Sequence, residues 1–317
     1  MKRWKNKRRL LTLRMFLAAA YLSCCFCQSV ARADTSACRM TCIIPDKSGM
    51  GYWATIEQAI TRRAKELGVE MAVINPSGDN AVGTISLNDA IDIAMLTDTQ
   101  AIILSYNDTD EITDEKLKEA REMGIRIVFI DRDADRQLRD IYVGIDNEEA
   151  GYHLGCMARD SLAEGELAML VTVPDYLERE NFRDRLQGIS QAFADCPERL
   201  AETTLITNSD PERILELHGV LQEITNVKAM IFCSERMTLI GSQVYKRIGD
   251  TSLRLYGFDL SEKTMETLEN GEIEAILYQN NETMGTASVN CALALVEGKP
   301  LTDEDGIIAY EILRSAD

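Results

Sequence analysis

The sequence predicts an α/β protein made of two doubly wound, parallel-sheet lobes joined by hinge crossings. Three observations carry this. From residue 39 short apolar runs alternate with segments whose apolar residues recur at helical spacing, and the alternation lasts to the end of the chain. Runs such as Ile127-Val128-Phe129-Ile130 are apolar on both faces, as strands covered by helices on both sides must be. Roughly ten strand and helix units are more than one core accommodates, so the chain divides into two lobes with a cleft between them.

Taken in order, a first strand spans 40–44, and Trp53, Ile56, Ile60, Ala64 and Leu67 then mark a helix that Gly68 stops. Strands follow at 71–74, 102–104 and 127–130, with helices at 87–96 and 117–123 between them. The pattern restarts with a strand at 142–145 and a helix through Ala150, Leu154 and Met157. A strand at 167–171 precedes a helix carrying Phe182, Leu186, Ile189 and Phe193. Ser209-Asp210-Pro211 starts another helix, with proline in its first turn. Strands at 230–232, 253–257 and 273–278 come next, then a long helix ending near Val296 and Gly298, and a final strand at 307–310. No flexible linker or short repeat interrupts the series. The expected lobes are therefore 37–144 with 280–306, and 145–279 with 307–317.

The amino terminus has a different character. Lys2, Arg3, Lys5, Lys7, Arg8 and Arg9 precede an apolar stretch from Met15 to Phe26, and Ala31-Arg32-Ala33 supplies a small-residue cleavage site. That order describes a signal peptide over 1–33. The stretch is twelve residues long, short of the about 20 that span a bilayer. Leu22-Ser23-Cys24-Cys25 also resembles a lipoprotein cleavage box, so both release and lipid anchoring stay open, and each places the folded part outside the cytoplasm. The signal region takes eight of the 34 basic residues and none of the 52 acidic ones, leaving a formal charge of −26. Such a surface repels nucleic acid and anionic membrane.

Beyond residue 33 the cysteines are Cys38, Cys42, Cys156, Cys196, Cys233 and Cys291, too widely spaced for a disulfide scaffold. Most read as small buried hydrophobes, and Cys38 with Cys42 is the pair to test for a bridge. With His153 and His218 the only histidines, no metal site is expected.

Chemistry concentrates at a few strand ends. Asp131-Arg132 follows the buried 127–130 run, where parallel sheets open their ligand clefts, and joins a hydrogen-bond acceptor to a multiple donor. The bland alternative is that the two pair with each other or cap the next turn. Gly49-Met50-Gly51-Tyr52-Trp53-Ala54 formally fits a dinucleotide fingerprint. It is set aside because Pro45 to Ser48 separate strand from glycines, Asn75 stands where an acidic ribose partner is expected, and Tyr52-Trp53 would crowd a pyrophosphate. Two aromatics beside charged and amide groups suit a sugar, whose C–H faces stack and whose hydroxyls donate and accept. The alternative for Trp53 is that it is simply the first core residue of its helix. No nucleophile elbow or histidine motif occurs, so neither an enzyme nor a cofactor is expected.

These residues together resemble the type I periplasmic substrate-binding proteins of sugar importers, similar to ribose-binding proteins and to the core of lac-repressor-like regulators. The resemblance runs from about residue 39 onward. The family's paired aromatics correspond to Tyr52 and Trp53, its strand-end pair to Asp131-Arg132, and its crossing strand to Ile145-Asp146-Asn147. Its R-x-R helix corresponds to Arg183 and Arg185 with Gly188, its G-F-D turn to Gly257-Phe258-Asp259, and its hinge glutamine to Gln279. By that resemblance Asp131 and Asp259 accept hydroxyl hydrogens, Arg132, Arg183 and Gln279 donate, the rings of Tyr52 and Trp53 hold the sugar, and Asp146 and Asn147 lie at the hinge. Three contacts depart from the family. Ser234 and Glu235 replace asparagine and aspartate, Tyr106 replaces an asparagine, and Met50-Gly51 replaces Asn-Pro.

The resemblance thus implies an exported, monomeric sugar-binding protein that presents its ligand to the membrane permease of an ABC importer. The other reading is a sensor docking on a membrane histidine kinase or chemoreceptor. A regulator is argued against by the signal sequence and the lack of a preceding helix-turn-helix.

Overall fold

The structure, a computed structural model, describes residues 37–45, 51–76, 85–106 and 111–315. The expected signal peptide, its cysteines and Gly49-Met50 lie outside these residues. In the first half, β1 (Arg39–Ile43), β2 (Glu70–Ile74), β3 (Ala101–Leu104), β4 (Arg126–Ile130) and β5 (Ile141–Val143) alternate with α1 (Gly51–Glu66), α2 (Leu87–Leu96) and α3 (Glu111–Glu122). The chain then crosses to α4 (Asn147–Asp160), β6 (Leu167–Thr172), α5 (Pro174–Glu178), α6 (Glu180–Ala192), β7 (Leu200–Thr204) and α7 (Asp210–Glu223). It continues through β8 (Val227–Phe232), α8 (Glu235–Ile248), β9 (Arg254–Phe258), α9 (Glu262–Glu269) and β10 (Ala275–Gln279), crosses to α10 (Asn281–Val296), and ends on β11 (Tyr310–Arg314).

Two sheets result. The first runs β2-β1-β3-β4-β5, all parallel, and the second β7-β6-β8-β9-β10-β11, parallel except for β11 against β10. Apart from that last strand both share one winding order, which reverses direction between β1 and β3 and again between β6 and β8. Ligands of such sheets bind beyond the strand ends at that reversal. The two halves exchange a helix: α4 leaves the first sheet and packs on α6, and α10 leaves the second and packs on α1.

Close helix contacts depend on glycine. A Cβ at Gly151 of α4 would stand 2.2 Å from the Arg185 carbonyl oxygen, and one at Gly188 of α6 would stand 2.0 Å from that of Glu148. α4 and α6 therefore touch backbone to backbone. On the other side, a Cβ at Gly285 of α10 would approach the Ile56 carbonyl oxygen to 2.6 Å. An apolar cluster from Met40 and Ile56 through Ile130 and Phe232 to Phe258 fills the space between sheets and helices.

The structure corrects the sequence reading in two places and answers one question that it left open. β7 was not anticipated, because its residues Leu200-Ala201-Glu202-Thr203-Thr204 lie at a half-exposed sheet edge and carry no apolar run. The last strand lies at Tyr310–Arg314 rather than 307–310; Ile307 makes only an isolated bridge to Gly144. Cys38 and Cys42 do not pair: all six cysteines of the described residues are free. Four residues along an extended chain separate the two by about 13 Å, beyond disulfide reach.

Candidate functional site

Two aspartates occupy matching places in the lobes. Asp131 follows β4 and Asp259 follows β9, the fourth strand of each winding. Both have left-handed backbone conformations, with φ of 66° and 68°. Aspartate tolerates this region better than most residues. Each amide donates to the neighbouring fifth strand, Asp131 to Val143 O at 3.0 Å and Asp259 to Leu277 O at 2.9 Å. The turn thereby directs a carboxylate beyond the end of the sheet, where a cleft ligand would lie.

The two carboxylates have different partners. Asp131 is buried, accepts the Tyr52 hydroxyl on Oδ1, and lies 3.8 Å from Arg132 Nε. Burial raises its pKa, against the opposing pull of Arg132, the Tyr52 hydrogen bond and Arg185. Tyr52 is itself raised well above the ordinary phenol, by burial first and then by the charges of Asp131 and Asp259. Asp259 accepts Gln279 Nε2 at 2.8 Å and lies 3.7 Å from Arg185 Nη1. Tyr52, Asp131, Asp259 and Gln279 are thus brought together, and the group spans both lobes.

Arg185 is the residue that sequence reasoning named only in passing. It is 2% exposed, donates Nε to Asn147 Oδ1 at 2.9 Å and Nη1 to the Cys233 carbonyl at 2.8 Å, and its guanidinium lies 4.2 Å from the Phe258 ring centroid. A fully buried guanidinium needs such partners for its donors. The signal was available: Arg185 falls on the same helical face as Phe182 and Ile189, where a charge has no bland reason to be. Arg183, two residues earlier, points outward instead and donates to the carbonyls of Leu177 and Glu178 at 3.3 and 3.4 Å.

The hinge residues divide similarly. Asp146 caps α4 by accepting the Glu149 amide at 2.9 Å. Asn147 is buried and bridges the lobes, donating to the Tyr142 hydroxyl at 3.3 Å while accepting from Arg185. Ser234 caps α8 and bonds the hydroxyl of Tyr176, which stacks on Phe182 at 4.1 Å. Trp53 is 9% exposed, packs into the apolar cluster beneath α1, and meets Tyr52 edge-on at 5.2 Å.

Open space flanks this group on two sides. One cavity of ≈ 210 Å³ is lined by Tyr106, Arg132, Asp133, Glu178 and Arg183. Tyr106 there donates to Asp114 at 2.7 Å. Near it, Asp184 is pushed up to about 6 by partial burial and by the charges of Glu180 and Glu148. The second cavity is ≈ 790 Å³, and its walls include Tyr52, Thr55, Leu239, Leu260, Met265 and Asn281. Asn281 and Tyr176 were not singled out from sequence. Among the described residues no cluster of His, Cys, Asp and Glu could hold a metal, and no helix is long and apolar enough to cross a membrane.

Comparison with known proteins gives consistent matches. The family described as periplasmic binding protein domain matches residues 41–300. A ribose import binding protein of Bacillus subtilis is 21% identical over 252 residues, 78% of each chain. A D-apiose import binding protein of Actinobacillus succinogenes is 25% identical over 220 residues, 69% of each. Among solved structures, a glucose-galactose binding protein from Geobacillus stearothermophilus superposes with a TM-score of 0.74 at 22% identity, covering 88% of this chain and 98% of that one. A solute-binding protein from Burkholderia graminis in complex with D-arabinose gives 0.74 at 20% identity, over 89% and 96%. The XylFII-LytSN complex gives 0.69 at 22%, over 87% and 98%.

Proposed function

The chain belongs to the periplasmic binding protein domain family, and from that premise we propose that it takes a sugar into the gap between its lobes and presents it to an ABC importer. The observation that carries this is the pair of strand-end carboxylates, one per lobe, acting on the same Tyr52 and Arg185. Sugar hydroxyls can donate to Asp131 and Asp259 and accept from Arg132, Arg183 and Gln279, which satisfies both partners' hydrogen bonding in a desolvated gap. Tyr52 offers the ring that a sugar face packs on, and Trp53 backs it from the core. Tyr106 and Ser234 border the gap where asparagines would stand in the family. Closure of the lobes turns on the crossings at Asp146-Asn147 and Gln279. Residues 1–33 act as the export signal, and the family's binding proteins act without catalysis.

The names of the relatives, ribose and D-apiose import binding proteins, favour a small monosaccharide and an importer. The XylFII-LytSN match favours one further reading, in which the loaded protein docks on a membrane receptor instead.

The test is calorimetry with free D-ribose, D-arabinose, D-glucose and D-galactose. At least one binds, and Arg132→Ala and Arg183→Ala each weaken it by about 1.5–3 kcal/mol through loss of a charged donor. Affinity unchanged in both variants would move the ligand away from the Arg132 and Arg183 side of the gap.

A further inference from the structure

The two cavities beside the Tyr52 group are unequal in a way that bears on the ligand. Pockets that hold small organic ligands occupy roughly 300–1,000 Å³. The cavity bordered by Arg132 and Arg183, at ≈ 210 Å³, falls below that range, whereas the one bordered by Tyr52 and Asn281, at ≈ 790 Å³, lies well inside it. The larger cavity reaches across both lobes, since Tyr52, Thr55 and Asn281 belong to helices of the first, Leu239 and Met265 to helices of the second, and Leu260 to the turn after β9.

Its lining does not resemble the polar group that it adjoins. Leu239, Leu260 and Met265 line the cavity together with the rings of Tyr52 and Tyr278; of its charged residues Asp210 and Arg236 are bound to each other at 2.7 Å, Glu262 and Lys263 are exposed, and Glu235 is half-buried. A free monosaccharide, with hydroxyls around its whole rim, gains little from aliphatic walls. A glycoside gains from both parts: the sugar ring keeps its donors and acceptors, and the apolar group on its anomeric oxygen leaves water.

Asn281 adds an independent sign. It is 5% exposed and lines this cavity, yet its Oδ1 has no hydrogen-bond partner among the described residues. Its counterpart on the other crossing, Asn147, has that oxygen taken by Arg185. Gly151 meets the Arg185 carbonyl as Gly285 meets that of Ile56, so Ile56 stands where the second lobe has its arginine. A buried acceptor left unmade is unfavourable. A half-turn about the terminal torsion of the carboxamide turns this acceptor toward an occupant of the cavity.

We propose that the cavity walled by Tyr52, Leu239, Leu260, Met265 and Asn281 is a second subsite, and that the ligand is a glycoside whose apolar aglycone fills it. The inference rests on the sugar reading above and narrows it. The experiment compares each free sugar of the panel with its 4-nitrophenyl glycosides by calorimetry, in the unmodified chain and in Leu239→Trp and Met265→Trp, which fill the cavity from the second lobe. At least one aryl glycoside binds about tenfold or more tightly than its free sugar, as burial of one extra apolar group provides. Both variants abolish that gain and leave the free sugar within about twofold. Glycosides that bind no better than the free sugar, or a gain that survives both tryptophans, overturn the second subsite while the sugar reading stands. If neither sugars nor glycosides bind, the sugar reading falls and this inference with it.

Discussion

The two lobes repeat one backbone plan and differ in how they treat its polar groups. In each, an aspartate with positive φ follows the fourth strand and its amide bonds the fifth. In each, a swapped helix begins at a capped asparagine and meets its neighbour through a glycine four residues on. The second lobe then buries a guanidinium, and Arg185 ties together Asn147, the Cys233 carbonyl and Asp259. The first lobe places Ile56 at the matching position. Its asparagine keeps an acceptor without a partner among the described residues, and its aspartate has a tyrosine hydroxyl and Arg132 at 3.8 Å. At the helix exchange, therefore, one lobe uses a satisfied ionic network where the other uses apolar packing, although elsewhere the first lobe buries Arg139 between Asp133 and Asp303. The polar groups of the packed lobe are the ones a ligand can still complete.

The largest effect is expected where the network is cut. Arg185→Met removes one member of a buried ion pair and strands Asn147 and Asp259, and should lower unfolding free energy by about 3–5 kcal/mol in denaturant titration. A loss near that of an ordinary surface change, about 0.5 kcal/mol or less, would end the view that Arg185 organises the second lobe.

Substituting the twin carboxylates should give opposite signs. Burial raises the pKa of Asp131, so the unfolded chain releases this proton first as pH rises. Stability is lost through the window from the ordinary value of 3.8 up to the raised one, and the penalty persists at neutral pH. Asp131→Asn keeps an acceptor for Tyr52 and should stabilise the ligand-free protein at pH 7 by on the order of 1 kcal/mol, while weakening sugar binding. The advantage should vanish at a pH below both values. Asp259→Asn deprives Arg185 of its charge partner and should instead destabilise by about 1 kcal/mol or more. Thermal melts of both variants across pH 3 to 8 check the signs.

The finest contrast lies at the crossings. Asn147→Leu leaves the buried Arg185 Nε without an acceptor and should cost about 1.5–3 kcal/mol. Asn281→Leu removes a group whose oxygen bonds nothing among the described residues, so ligand-free stability should change by about 0.5 kcal/mol or less. Equal losses in denaturant titration would erase the asymmetry between the lobes.

Much of this was legible from residue order. The strand ending at Ile130, the helix carrying Trp53 and the turn carrying Asp131 appear where periodicity and strand-end position place them, and Asp259 follows its strand where the family resemblance puts it. Edge strand β7 was not legible, since a half-exposed edge makes no demand for an apolar run. Trp53 had two readings in the sequence, and its 9% exposure came only with the packed helix.

The sequence by itself determined the alternation of strands and helices, the division into lobes and the carboxylate beyond the 127–130 strand, because those follow from local periodicity and strand-end position, whereas Asp259 was marked by the family resemblance. Tertiary structure decided which of Arg183 and Arg185 is buried, which asparagine is satisfied, and which side of the gap is roomy. Those outcomes depend on the faces that α4 and α6, or α10 and α1, present to each other at glycine-close contact. That choice is made between segments far apart in the chain, and no single stretch encodes it.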